Sequence, residues 1–351
     1  MARSFSPAPT PNKKSQLGRG VLIVLATMAV PLGAAFVLLF LPLPVSETTT
    51  TTIPYGASLR GVSTQLTEQH IVRYPMLFEH ACRLLCVTVQ AGDYQIQPGM
   101  RYYELIRDLR VGRVVVEQIT FLPGWTFAQV WGVVHAHPAI AHTLPDNPQA
   151  LMIEMTGVVD AHSVSLAGVV ARSPEGQFFP DTYHFARGTT DKVILKQAYA
   201  RMQRVLDELW PQRAPMDTLN GPQEALILAS IIEKESALID EMPKISAVLH
   251  RRLARNMRLQ ADPTVIFALG ANFKAPLQRQ DLKLNSPYNT YRYAGLPPTP
   301  IALPSKHALQ AALCPEVGQE ALYYVANGQG GHEFSEHYEQ HQAAIARVFG
   351  K

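Results

Sequence analysis

The residue types able to do chemistry here are carboxylates, amides and hydroxyls. They concentrate in the C-terminal third of the chain. Glu233 and Glu235 form a Glu-Lys-Glu triplet, and downstream come Gln260, Asp262 and Thr264 in Arg258-Leu-Gln-Ala-Asp-Pro-Thr264, then Tyr288, Asn289, Thr290 and Tyr291 in Ser286-Pro-Tyr-Asn-Thr-Tyr291. A carboxyl held in apolar surroundings is a general acid and, once ionised, a general base. Proline-stiffened loops carrying amides, hydroxyls and aromatic rings suit a saccharide groove, where polar groups bond sugar hydroxyls and rings cover apolar sugar faces.

The element that must position the acids is the stretch Glu224 to Asp240, which reads as a helix. Leu226, Ile227, Leu228, Ile231, Ile232, Leu238 and Ile239 spread round most of its circumference, so it is expected to be wrapped by protein. At three and four residues either side of Glu233 stand Ala229, Ser230, Ser236 and Ala237, all small, which predicts a shallow trough above that carboxyl. Glu235 lies about 200° further round at roughly 100° per residue and faces inward. Most helical glutamates serve only in surface ion pairs; the collar of small residues sets Glu233 apart.

Lys244 to Asn256 reads as a second helix, with Arg251, Arg252 and Arg255 at its dipole-favoured end. Met257 to Thr264 follows as an extended passage, Pro263 steering Asp262 away from helical angles. Upstream, an extended segment, a Pro-Gly turn and an amphipathic helix recur three times, the helices being Ser58 to Gln69, Tyr102 to Leu109 and Thr126 to Val134. That arrangement suits a small α+β module of paired strands covered by helices, closed by a strand within Val114 to Phe121. The Thr48 to Thr52 run is a linker or a first strand. The aromatic stretch Gln177 to Tyr183 is core or groove wall, core being the commoner use of such residues.

Val21 to Leu41 carries no charge and as a helix covers about 31 Å, near the thickness of bilayer hydrocarbon. The run is too long for an ordinary signal peptide and lacks a small-x-small cleavage site, so a membrane span is expected. Arg3, Lys13, Lys14 and Arg19 precede it, which leaves 27 basic against 28 acidic residues in the remainder. By the positive-inside rule the N-terminus is cytoplasmic and everything after the span is across the membrane. The near-neutral body offers no field for nucleic acid. Cys82, Cys86 and Cys314 make neither a disulfide framework nor a metal knuckle.

The motifs around Glu233, Asp262 and Tyr288, with Gly295-Leu-Pro-Pro298 and Tyr324-Val-Ala-Asn-Gly-Gln-Gly-Gly-His-Glu-Phe334, occur in an order that resembles the endolytic murein transglycosylases, the MltG or YceG-like family. The likeness extends to Ala91 to Met100, Thr120-Phe-Leu-Pro-Gly124 and Glu175 to Tyr183. Leu122 stands where the family commonly has an acid before the Pro-Gly turn, and the segment from Ile53 to Val89 is idiosyncratic.

The resemblance implies a single-pass protein of the cell inner membrane: cytoplasmic tail 1–20, transmembrane helix 21–43, LysM-like α+β module 44–118 and periplasmic catalytic domain 119–351. The fold class expected is α+β, with a mixed α/β catalytic domain carrying the catalytic glutamate on a buried helix. The activity implied is a peptidoglycan lytic transglycosylase, a lyase that cuts the MurNAc-GlcNAc β-1,4 bond within strands, leaves 1,6-anhydro-MurNAc ends and terminates nascent glycan strands. The family's acid/base, the first glutamate of Glu-Lys-Glu, falls on Glu233. Substrate contacts are expected from Ser230, Gln260, Asp262, Thr264, Tyr288, Asn289, Thr290 and Tyr291. Neither cofactor nor metal is expected, and the partners are glycan strands and cell-wall synthases. The competing readings are a non-catalytic peptidoglycan-binding scaffold of the synthesis machinery and a zinc hydrolase on His332, His337 and His341. The latter is disfavoured because Glu339 does not follow the first histidine of the helical pair.

Overall fold

The computed structural model describes residues 33, 36–54, 56–113, 115–146, 151–152, 173–215, 217–318 and 320–350. They form a mixed α+β structure in two compact units, the first running to Glu117 with Ala186–Gly188 and the second comprising the rest. Of the expected transmembrane helix 21–43 only residues 33 and 36–43 are described, and among these Leu38 and Leu43 are buried in the core of the first unit. Among those described, no helix is long and apolar enough to cross a membrane.

In the first unit β1 (Thr49–Ile53) pairs antiparallel with β2 (Gly92–Ile96), Thr51 opposite Tyr94. The Thr run is therefore a strand. Between the strands lie α1 (Leu59–Glu68), capped by the Ser58 hydroxyl, and α2 (Pro75–Leu84), which starts on a proline. After β2 comes α3 (Tyr102–Val111), stopped at Gly112 in the left-handed conformation that glycine adopts without cost. Leu66, Phe78, Tyr94, Tyr102 and Leu105 are fully buried between the helices and the sheet.

The second unit is dominated by helices. It holds Gln118–Thr120 of β3 (Val116–Thr120) and Thr182–Phe185 of β4 (Thr182–Ala186), strands that pair in a two-stranded sheet, with α4 (Phe127–Ala136) and α5 (Asp191–Leu209) beside them. The Thr126 side chain caps α4, and the buried Glu175 carboxylate accepts the Phe127 N–H at 3.0 Å. Phe178, Phe179 and Tyr183 are buried, so the aromatic stretch is core. Gly176 is indispensable in form: at φ +72° a Cβ there would lie 2.4 Å from the Pro300 Cβ.

Next come α6 (Pro222–Glu235), α7 (Met242–Ala254), α8 (Asp262–Leu269) and α9 (Lys306–Leu313). The chain ends with the antiparallel pair β5 (Tyr323–Ala326) and β6 (His332–Ser335), and with α10 (Tyr338–Phe349). Strands among the described residues occur only in two-stranded sheets, so α+β replaces the mixed α/β expectation for this part.

Every residue of α6 from Ala225 to Ile232 is buried. Leu226, Leu228, Ile231 and Ile232 pack with Ile245 and Leu249 of α7 and Leu309 and Leu313 of α9. The wrapped helix predicted from its all-round apolar pattern is present, but shorter. It ends at Glu235, and Ser236 is extended at φ −138°, ψ 136°. A second difference is α8, which begins at Asp262, inside the last three residues of the passage read as extended. Pro263 is tolerated because it stands in the first helical turn, where a missing N–H leaves no bond unmade.

Candidate active site

Glu233 stands in the last turn of α6, half-buried, at a cleft of about 380 Å³ lined by Pro123, Gly124, Trp125, Gln129, Lys234, Ser236 and Ala237. Of the four small residues predicted to flank the carboxyl, Ser236 and Ala237 line the cleft, while Ala229 and Ser230 are fully buried beneath it in the core. Ser236 and Ala237 are brought beside it because the chain leaves the helix there. The opposite wall is the Leu122-to-Trp125 turn. Gly124 is left-handed at φ +76°, and a Cβ there would touch the Lys234 side chain at 3.6 Å and Glu233 Cγ at 4.0 Å.

Two strand-like bonds fix that wall to the passage before α9: the Gly124 N–H donates to the Leu303 carbonyl at 2.8 Å, and the Leu303 N–H to the Trp125 carbonyl at 2.7 Å. Ser230 ties the same passage to α6, since its hydroxyl accepts the Ile301 N–H at 3.0 Å and donates to the Ile227 carbonyl at 2.7 Å. Ser305 is thereby placed over the acid. Its N–H donates to Glu233 Oε2 at 2.9 Å and its hydroxyl at 2.6 Å, while the Ala308 N–H donates to that hydroxyl and makes Ser305 the cap of α9. The carboxylate therefore lies at the positive end of a helix dipole. Oε2 is committed to Ser305, whereas Oε1 has no bonded partner among the described residues. Lys234 adds a cation to the rim, its ammonium donating to the Gly124 carbonyl at 3.3 Å.

Glu235 belongs to a second cluster. Its Oε1 is shut off from solvent without a hydrogen-bond partner among the described residues. Burial, and then the nearby Asp262 charge, push its carboxyl up to about 8 against the hydrogen bond from Tyr324 and the Arg252 charge, which pull it down. Burial and the Glu235 charge likewise raise Tyr324 far above the usual phenol range. The Tyr291 hydroxyl donates to Asp262 Oδ1 at 2.5 Å, and burial followed by that bond raises its pKa. Arg252 is buried and spends its guanidinium on the carbonyls of Leu322 and Leu259 and on Gln260 Oε1 at 3.2 Å. Gln260 is exposed in a left-handed backbone at φ +53°.

The remaining sugar-contact candidates separate by exposure. Ser230, Thr264 and Asn289 are 0% exposed and Thr290 2%. The Thr264 and Thr290 hydroxyls bond each other at 2.9 Å, Thr290 also accepts the Ala261 N–H at 3.0 Å, and the Asn289 amide donates to the carbonyls of Leu282 and Leu284. These four side chains hold loops together. Tyr288 is half-buried against Phe267, its hydroxyl bonded to Thr299 at 2.8 Å. Asp262, Tyr291 and Gln260 gather round Arg252 and Glu235, and none of the eight lines the cleft at Glu233. Ser305, Lys234, Trp125 and Gln129 were missed. A Ser two residues after Leu303 with helix formers behind it is a cap signal, but nothing in the sequence says what else that hydroxyl bonds.

Two of the three zinc-hydrolase histidines have neighbours of their own. His332 Nδ1 lies 2.8 Å from Glu241 Oε2, and His341 stacks on Tyr323.

A half-buried acid at the mouth of a cleft, on a helix wrapped by a mixed α+β unit, defines the class, and the chain belongs to the YceG-like family, whose profile matches residues 51–347. A Bacillus subtilis (strain 168) protein named endolytic murein transglycosylase is 27% identical over 317 residues, covering 86% of this chain and 86% of that one. A protein of the same name from Streptococcus pneumoniae serotype 2 (strain D39) is 26% identical over 320 residues, which is 84% of this chain and 57% of the pneumococcal one. The crystal structure of a yceG-like protein from Listeria monocytogenes superposes with a TM-score of 0.50 at 28% identity, covering 85% of this chain and 99% of the other.

Proposed function

We propose that this chain is a peptidoglycan lytic transglycosylase, a lyase that cuts glycan strands internally at the MurNAc-GlcNAc β-1,4 bond with Glu233 as its one acid and base. The observation that carries the reading is that, among the described residues lining the cleft, Glu233 is the single carboxylate. Hydrolysis needs a second acid, about 5 Å away as a nucleophile or about 6.5 to 9.5 Å away to activate water. Asp262, the candidate partner in the sequence, is bonded to the Tyr291 hydroxyl and does not line the cleft. A lytic reaction needs none, because the sugar's own C6 hydroxyl attacks C1 with a large effective concentration over water.

Ser305 donates twice to Oε2, so Oε1 is the oxygen that carries the proton Glu233 delivers. Glu233 gives it to the glycosidic oxygen as the C1–O bond breaks, the bonding pair leaving with that oxygen. O6 then bonds C1, and the carboxylate takes the O6 proton. No water is consumed. Gln260, Asp262, Tyr288 and Tyr291, which lie outside the lining of the cleft, contact sugars further along the bound strand, and Ser230, Thr264, Asn289 and Thr290 tie the backbone around them.

The same reading makes the apolar run from Val21 a single inner-membrane span with a cytoplasmic N-terminus, ending before Leu38, which is buried with Leu43 in the core of the first unit, and leaves that unit as a LysM-like module and the catalytic unit in the periplasm. There the enzyme ends nascent strands beside the cell-wall synthases. The deciding experiment is mass spectrometry of purified peptidoglycan digested by the full chain. Products ending in 1,6-anhydro-MurNAc, lighter by one water than hydrolytic ones, are expected; reducing-end MurNAc as the first product overturns the lytic assignment.

A further inference from the structure

Away from the cleft, the end of α4, the loop that follows it and the start of α5 bring His135, His142 and Asp191 together, with donor atoms all within 4.8 Å of one another. The imidazoles stack face to face, centroids 4.7 Å apart and planes 5° from parallel. His142 Nδ1 lies 3.8 Å from Asp191 Oδ2, and His135 Nε2 lies 3.8 Å from Asp146 Oδ1.

Those separations are informative. Each exceeds hydrogen-bond range, about 3.2 Å for N–H···O, so these nitrogen and oxygen atoms do not spend their lone pairs or protons on each other. Each is short enough for one ion to bridge, because bonds of about 2.0 to 2.2 Å from a zinc-class cation to nitrogen and oxygen reach across it. Parallel rings aim their lone pairs along parallel planes, so binding one ion turns the imidazoles out of their stack, and the two histidine side chains, 33% and 40% exposed, have solvent on one side to turn into.

The backbone beneath is fixed. The Ala141 N–H donates to the Thr189 carbonyl and the Asp191 N–H to the Ala141 carbonyl, both at 3.0 Å, which clamps the residue before His142. The residues after it are clamped through Asp191, whose 0%-exposed carboxylate accepts the N–H groups of Thr143, Leu144 and Lys192 and the Thr143 hydroxyl. Ligand carboxylates are oriented by such outer bonds. Trp131, 4.2 Å from the His135 ring, steadies the other imidazole in the last turn of α4, where the helix dipole favours a cation.

We propose that His135, His142 and Asp191, with Asp146 as a fourth donor, bind one divalent transition cation of the zinc class. Two imidazoles with carboxylates select zinc, cobalt or nickel over magnesium and calcium, which prefer all-oxygen shells. The ion has no part in the cleavage reaction. It pins the end of α4 and the loop to the start of α5.

The test uses the full chain in detergent, stripped with chelator, dialysed and titrated with zinc sulfate by calorimetry, with the thermal midpoint followed in parallel. One zinc per chain and a raised midpoint are expected, magnesium giving neither. His142→Ala and His135→Gln should each weaken zinc on the order of tenfold or more. Both alter partly exposed side chains, so folding, checked by circular dichroism, is retained. His341→Ala, which removes an imidazole elsewhere in the same unit, should bind as the wild type. Absence of saturable uptake, wild-type affinity in both His135→Gln and His142→Ala, or loss of binding in His341→Ala instead, overturns the assignment.

Discussion

Glu235 offers a prediction whose sign and size follow from where it lies. Burial and Asp262 raise its folded pKa to about 8 from an ordinary 4.5, so between those values the native state holds a proton that the unfolded chain has released. Its contribution to stability is therefore present in full below about pH 4.5 and is lost as pH rises through 8, at about 1.4 kcal/mol per pH unit. By pH 7 the loss is about 3 kcal/mol. Glu235→Gln matches the shape of the protonated acid and cannot ionise. Its stability should stay level where the wild type falls, giving a gain near neutrality of about 1 to 3 kcal/mol once the new amide N–H, which inherits the unpartnered position of Oε1, is allowed for. Urea unfolding of the full chain at pH 5, 7 and 9, followed by fluorescence, reads the relevant unit because Trp125, Trp131 and Trp210 all lie in it. If the variant's midpoints run parallel to the wild type's over this range, or if folded Glu235→Gln has lost turnover, the placement of this carboxyl is wrong.

Glu233→Gln should fold normally and lose on the order of a thousandfold in turnover, as befits a sole acid and base, in release of muropeptides from purified sacculi. Ser305→Ala removes both a charge-assisted bond to Glu233 and the α9 cap, so turnover should fall about ten- to a hundredfold and stability by about 1 kcal/mol. Ser305→Gly, a tolerable cap, should show the same kinetic loss with little loss of stability; wild-type turnover in Ser305→Gly would argue that the hydroxyl serves the helix alone. A reporter fused after Lys351 should be active only outside the cytoplasm, and cytoplasmic activity would remove both the localisation and access to the substrate.

Much of this was legible where pattern and packing agree. The all-round apolar pattern of Leu226 to Ile232 announced a wrapped helix, and Ser58 and Thr126 announced helix starts. What failed was local continuity. Ser236 is a fair helical residue by type, yet the chain turns extended there, and Leu238 and Ile239, counted towards the wrapped helix, are exposed. Asp262-Pro263 reads as extended from the proline's effect on its predecessor, whereas the proline in fact occupies the first turn of α8. Polar loop residues are the harder case, because composition cannot tell an amide that meets a ligand from one that ties a loop. Asn289 and Thr290 have the right chemistry for sugar and spend it inward. The contact between Ser305 and Glu233 spans 72 residues, a separation at which no periodicity speaks.

The division of labour within the Glu233 carboxyl bears on stereochemistry. With Oε2 held by Ser305, one oxygen must release the proton and later collect another, so the departing and arriving oxygens both lie on the side of the sugar that Oε1 can reach. In the proposed product the 1,6-bridge sits on the β face, the face from which the 4-linked neighbour departs. Configuration at the anomeric carbon is thus retained without a covalent intermediate, a result that ordinary glycosidases reach by two successive inversions on opposed carboxylates.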